Sequence, residues 1–143
     1  MGNLAPINAI TQLRAAMEKG IADGSLEVAE APLEHYRAGA LYGRRIYVKP
    51  DTAIVTKVHK TEHFTIALKG RCTVYDEKGD THDVIAPQVF VTKPGTWRAI
   101  YAHDEVEWFT AHICFETGQE AIDRYLACDT MEEYNALQLE NKA

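Results

Sequence analysis

The segment Val58-His59-Lys60-Thr61-Glu62-His63-Phe64 decides the reading of this chain, because imidazoles four residues apart project to one side of an extended strand as well as of a helix. The surroundings choose between the two. From Glu34 to Phe115, short runs rich in Val, Ile, Thr, Tyr and Phe are separated by turn residues about every eight to twelve positions, the rhythm of an antiparallel sandwich or barrel. Strands are predicted at His35–Ala38, Leu41–Val48, Ala53–His59, His63–Lys69, Arg71–Tyr75, Thr81–Ile85, Gln88–Thr92, Trp97–Tyr101 and Val106–Cys114. Lys69-Gly70 and Asp76-Glu77-Lys78-Gly79-Asp80 mark hairpin turns. Two nitrogen ligands, His59 and His63, are therefore expected to point into one cavity of a small barrel.

Helical periodicity flanks this region. Ile7, Ile10, Leu13, Met17 and Ile21 recur at three- and four-residue steps, which predicts a helix over residues 5–24 with Pro6 in its first turn and Gly20 or Gly24 at its stop. Beyond Phe115, Thr117 with Glu120 and Thr130 with Glu133 each read as a capping box opening a short closing helix. The last residues, from Glu140, are expected to fray. The expected division is a helical arm over residues 1–33, a barrel over 34–116 and a helical segment over 117–143.

With 143 residues, a single domain is expected to bury a core without staples. Acidic side chains outnumber basic ones by 21 to 15, for a net charge of −6, and no basic cluster is longer than Arg44-Arg45, which argues against nucleic acid as a partner. No apolar run is long enough to span a bilayer, and the first residues carry no export pattern, so a cytoplasmic protein is expected. Cys72, Cys114 and Cys128 are odd in number and form no CxxC pair; reduced, mostly buried thiols are expected.

Parity sharpens the candidate site. In the predicted strand Ala53–His59, Lys57 and His59 share a side, and two such groups facing a barrel interior need water, an anion, a carboxylate or a metal as partner. His112 shares parity with Trp108 and Thr110, and a late strand can return beside that of His59. His59, His63 and His112 would then form a three-imidazole set suited to a divalent metal, with zinc, iron, manganese and nickel as candidates. Glu62 would orient a ligand or act as a base, and Arg98 would fix an anionic substrate. Without a metal, the same imidazoles form a hydrogen-bonded polar core, or Lys57, Arg98 and Tyr101 gather donors around a small acidic ligand. Arg98 paired internally with Glu62, Asp104 or Glu105 is the competing arrangement.

The order of hairpins, with a His-rich strand ending in Leu68-Lys69-Gly70 and a later Pro94-Gly95-x-x-Arg98, resembles the two motifs of the cupin superfamily. More narrowly, His59-Lys60-Thr61-Glu62-His63, Lys93-Pro94-Gly95-Thr96-x-Arg98, Tyr101-x-His103-Asp104-Glu105 and Trp108-x-Thr110-x-His112 resemble a group of small cupin-like proteins found largely in bacteriophage genomes. The resemblance covers roughly residues 40–115 and implies a mainly β, cupin-like jelly-roll barrel with an N-terminal helix and short C-terminal helices. It implies a metal between the two motifs, and residence in the host cytoplasm or the virion. In the superfamily pattern His63 falls on the glutamate ligand, His59 on the second histidine and Lys57 on the first, while Arg98 replaces the last histidine. Two functions follow as expectations: a metal-dependent protein acting on or sensing a small anionic molecule, or a non-catalytic accessory, ligand-capturing or structural module. A homodimer or higher homo-oligomer is expected under either, because an open sheet leaves an edge and an apolar outer face to cover.

Overall fold

The computed structural model describes residues 8–142. Helix α1 (Asn8–Ala22) is followed by strands β1 (Leu33–Ala38), β2 (Leu41–Val48), β3 (Thr52–Val55), β4 (Val58–His59), β5 (His63–Lys69), β6 (Arg71–Asp76), β7 (Thr81–Ile85), β8 (Gln88–Thr92), β9 (Arg98–Ala102) and β10 (Val106–Ile113). Helix α2 (Gln119–Leu126), strand β11 (Ala127–Cys128) and helix α3 (Met131–Lys142) close the chain. The strands form a five-stranded sheet in the order β1-β2-β10-β5-β8, a four-stranded sheet in the order β3-β9-β6-β7 and the short pair β11-β4, all antiparallel. The chain is a cupin-like jelly roll with a helix before the barrel and short helices after it.

Alternation builds the space between the sheets. Val48, Ala67, Cys72, Val74, Val84, Ile100, Ala102, Val106 and Trp108 form the buried cluster where the two sheets face each other. The β5–β6 hairpin depends on Gly70 at φ 82°, where any Cβ would strike the carbonyl oxygen of Glu105. All three cysteines are buried free thiols, and burial pushes the Cys72 thiol up to about 11.

Several predicted boundaries move. The helix over residues 5–24 is α1, ending before Gly24, whose N–H reaches the Ile21 carbonyl; Pro6 and Ile7 lie outside the described residues. Of its apolar stripe, Ile10 is buried and Leu13 packs beside it on Val58, Trp97, Ala99 and Cys128, whereas Ile21 is exposed. The single strand predicted at Ala53–His59 is broken. Thr56 N–H and Oγ1 both donate to the Arg98 carbonyl, at 2.9 and 3.1 Å, and end the β3 ladder one residue after Val55. Val58 and His59 then pair instead with Cys128 and Ala127 of β11, a strand not foreseen. The capping box at Thr117 is absent: Gly118 is the N-cap of α2 and no side chain caps it. At α3, Thr130 Oγ1 does accept the Glu133 N–H at 3.0 Å, and Glu133 reaches back to the Asp129 N–H rather than to that of Thr130. Helix α3 continues to Lys142, and Ala143 lies outside the described residues.

Candidate functional site

The inward positions of β5 and β10 place imidazoles side by side. Phe64 pairs with Ala111 and Thr65 with Thr110, so His63 and His112 stand on neighbouring strands facing the interior; their ring centroids are 4.2 Å apart. His59 approaches from β4, 4.9 Å from the His63 ring. The three histidines singled out from sequence are thus brought into one row, with His63 touching both others.

Hydrogen bonds orient two of these rings. His63 Nδ1 lies 2.9 Å from the Thr61 carbonyl. A carbonyl can only accept, so Nδ1 carries the proton and Nε2 is a bare lone pair. That Nε2 is buried with no partner, and so is Nδ1 of His112, whose Nε2 meets Thr110 Oγ1 at 2.8 Å. Burial first, and then the neighbouring His63, hold both His59 and His112 down to about 3; burial also lowers His63, against the opposing pull of the Thr61 carbonyl. All three are neutral at pH 7, the state in which imidazole ligates a metal. Among the described residues, no three His, Cys, Asp or Glu side chains are already gathered so as to hold an ion.

His59 and His112 line a cavity of about 270 Å³ together with Arg44, Lys57, Thr65, Arg98 and Thr110, and Ile46, Val48, Ile54, Ile100, Val106, Trp108 and Leu126 make apolar walls. No aspartate or glutamate is among its lining residues. Arg98 is 8% exposed and has no carboxylate within ion-pair distance among the described residues. Its Nη2 donates to Thr92 Oγ1 at 2.9 Å, that hydroxyl meets Thr65 Oγ1 at 2.6 Å, and its Cζ stands 5.5 Å from the Phe90 ring centre. Burial lowers the guanidinium to about 10. A second, more open hollow of about 450 Å³ shares Arg98 with this cavity and carries Asp76, Glu77, His82 and Asp83 toward the β6–β7 turn. It holds none of the imidazole row, and Asp76 is committed to the Lys78 and Asp80 N–H groups of that turn.

Four site expectations need correction. Lys57 does not share a buried face with His59: the break at Thr56 turns its side chain out, and its ammonium pairs with Asp129 at 3.3 Å, leaving only a place on the cavity lining. Glu62 is exposed and bound to Lys93, so its carboxylate neither orients an imidazole nor reaches the cavity as a base. Tyr101 alternates outward between Ile100 and Ala102 and donates its hydroxyl to Asp51 at 3.0 Å. The internal pairing of Arg98 with Glu62, Asp104 or Glu105 is absent; Glu105 binds Lys69 and Asp104 accepts the Arg71 N–H. Arg44, unremarked in the sequence except as a charge, lines the cavity and is paired with Asp123 at 2.5 Å. Its inward parity with Tyr42, Ile46 and Val48 was the available signal.

No family model matches the chain, and no curated protein matches it. Among solved structures, a salicylate 1,2-dioxygenase from Pseudoaminobacter salicylatoxidans superposes with a TM-score of 0.52 at 12% identity, covering 72% of this chain and 33% of that one. A protein from Neisseria meningitidis gives 0.50 at 10% identity over 68% of this chain and 95% of its own. A cupin-2 domain protein from Shewanella frigidimarina gives 0.49 at 12% identity, over 68% and 98%. At such identities the likeness concerns the fold alone. No helix among the described residues is long and apolar enough to cross a membrane.

Proposed function

We propose that the barrel interior binds a small organic anion and that His59, His63 and His112 can hold a divalent metal beside it. The observation that carries the reading is Arg98: a guanidinium buried on the wall of a cavity with no acidic lining residue, and with no carboxylate of its own. A buried charge without a counter-ion is costly, and a bound carboxylate would supply the missing partner in a bidentate pair. Apolar walls of Ile54, Ile100 and Trp108 suit the hydrocarbon part of such a ligand and exclude water around the pair.

The donor chemistry fits a metal with imidazole preference, zinc, iron or nickel before manganese. Two buried nitrogens lack partners, and the Thr61 carbonyl and the Thr110 hydroxyl fix the rings in the way outer partners fix ligating histidines. Bound there, an ion would supply Lewis acidity. The chain's own residues do the rest: Arg98 anchors the anion, Thr65 and Thr92 hold the guanidinium in place, and neutral imidazoles leave no proton to be displaced. Because Arg98 and Arg44 repel a dication, metal and anion are expected to bind better together than alone, each raising the affinity for the other by the same factor.

Calorimetric titration of the metal-free chain with zinc and ferrous iron, with and without acetate or benzoate, tests this. Saturation near one metal per chain, tighter with carboxylate and weakened by His63→Ala, is expected. Absence of both metal uptake and Arg98-dependent carboxylate binding would rule the reading out. A second reading is favoured by the apolar outer face of the five-stranded sheet: a non-catalytic, ligand-capturing or assembly component, in the host cytoplasm or virion. Its resemblance to phage-encoded cupin-like proteins supports that setting. Anion binding without turnover of any bound acid would select it.

A further inference from the structure

The registers set three inward polar side chains of the five-stranded sheet in one line: Arg44 of β2 stands opposite Thr110 of β10, and Thr110 opposite Thr65 of β5. All three line the cavity. Beyond Thr65 the line continues to Thr92 of β8, whose hydroxyl meets Thr65 Oγ1 and accepts from the Arg98 guanidinium. A cation therefore stands at each end of a row of hydroxyls, and from β2 to β5 that row crosses two strand spacings, about 10 Å. Such a row would suit an acid with two anionic heads. Its two ends are nevertheless unlike. Arg98 has no carboxylate within ion-pair distance among the described residues, whereas Arg44 donates Nη2 to Asp123 Oδ1 at 2.5 Å and Nε to the Tyr42 hydroxyl at 3.3 Å. That hydroxyl lies 2.6 Å from His35 Nδ1, and Asp123 Oδ1 accepts a second hydrogen bond from Gln119 Nε2 at 2.7 Å.

The geometry points to Asp123 as the residue that sets the charge of the ligand: resting on the carboxylate pocket proposed above, the chamber takes an acid with a single carboxylate and refuses its two-carboxylate analogue. Three cations line the cavity, Arg44, Lys57 and Arg98. Two of them receive counter-ions from the C-terminal segment, Asp123 for Arg44 and Asp129 for Lys57, so the lining lacks one negative charge, at Arg98. The first carboxylate of a ligand completes that pair. A second would be buried among apolar walls beside a guanidinium that already has its partner, and its desolvation would go uncompensated. The helix that carries Asp123 is anchored, since Ile122 and Leu126 of α2 are buried in one cluster with Tyr42. Exposure separates the two counter-ions. The Arg44 side chain is 25% exposed, so removing Asp123 leaves a largely desolvated cation in want of an anion, whereas Lys57 is 65% exposed and water can replace Asp129. Selectivity accordingly resides in Asp123.

The test is calorimetric titration of the metal-free full chain at neutral pH with butyrate and with succinate, which carry a methyl group or a second carboxylate at one end of the same skeleton. The wild type is expected to bind butyrate at least tenfold more tightly than succinate. Asp123→Asn, which frees Arg44 at nearly constant side-chain volume, is expected to raise the ratio of succinate to butyrate affinity at least tenfold, and Arg44→Gln added to that variant to abolish the gain. Asp129→Asn is the control, with a ratio within twofold of the wild type. Equal affinity of the wild type for the two acids would overturn the inference and leave the pocket reading standing. So would an unchanged ratio in Asp123→Asn with a native circular dichroism spectrum, or a gain that survives Arg44→Gln. Should Asp123→Asn misfold, the wild-type comparison and Asp123→Ser keep the inference exposed to failure. A wild type that binds neither acid sinks the pocket reading, and this inference with it.

Discussion

Toward the end of the five-stranded sheet that carries His63 and His112, its two faces invert the usual polarity, whereas Val48, Val106 and Trp108 at the other end face the core in the ordinary way. Along β5 the inward side reads His63, Thr65, Ala67 and the outward side Phe64, Ile66, Leu68; along β10, Thr110 and His112 face in while Phe109 and Ile113 face out. A sheet that only had to close a core would do the opposite. The polar groups on the inside are those the proposed pocket would use, and Phe64, Leu68 and Ile113 on the outside stand largely exposed to solvent.

The sharpest way to break this contrast is to attack the apolar remnant that both faces rest on. Trp108 is buried, meets Phe90 edge-on at 5.6 Å and walls the cavity; Trp108→Ala is expected to cost about 3–5 kcal/mol in urea unfolding. A loss below about 1 kcal/mol would mean that the interior is not packed as described. Acid comes next. Unfolded histidines take up protons near 6.5, whereas folded His59 and His112 wait until about 3, so in that interval the unfolded chain binds more protons. Stability of the metal-free protein is present above pH 6.5 and is expected to fall by on the order of a few kcal/mol as pH drops toward 3. His112→Gln should flatten that limb; an unchanged slope would place its ring in water.

Replacing the unpaired cation probes the inner face more gently. Arg98→Met is expected to leave the ligand-free protein equally stable or more stable by about 1–2 kcal/mol, since a buried charge without a partner gives way to apolar volume. Carboxylate binding should fall at least tenfold in the same variant. Marked destabilisation would recast Arg98 as a structural cation. The smallest effects belong to the side chains that face out: Tyr101→Phe and Glu62→Gln should each change stability by no more than about 0.5 kcal/mol and leave ligand affinity untouched.

Much of the barrel was legible because a half-buried strand announces itself by alternation. Leu41–Val48, His63–Lys69, Thr81–Ile85 and Gln88–Thr92 fall where their patterns put them. The inward parity of His112 with Trp108 and Thr110 was legible for the same reason. What escaped was set by backbone contacts distant in sequence. The Arg98 carbonyl breaks the strand at Thr56 and so reverses Lys57, and a two-residue strand such as β11 is too short for any periodicity to mark. Glu62 misled because adjacency to two histidines says nothing of direction; Lys93, thirty-one positions on, decides where it points. The polarity of the outer face was readable residue by residue, but only the registers join Leu41, Ile113, Phe64 and Val91 into one surface.

The pairing of β11 with β4 has a kinetic implication. His59 is tied through its backbone to the Thr96 carbonyl and the Gly95 N–H, it stands opposite Ala127 of β11, and the Lys60 N–H reaches the Leu126 carbonyl at 2.8 Å. Leu126 and Ala127 also belong to the cavity wall. This seam is the shortest ladder among the described strands, two residue pairs long, and short ladders are where local opening begins. Traffic into the interior is therefore expected to be timed by the breathing of the C-terminal tail, with amide exchange at Lys60 slowing once the chamber is filled.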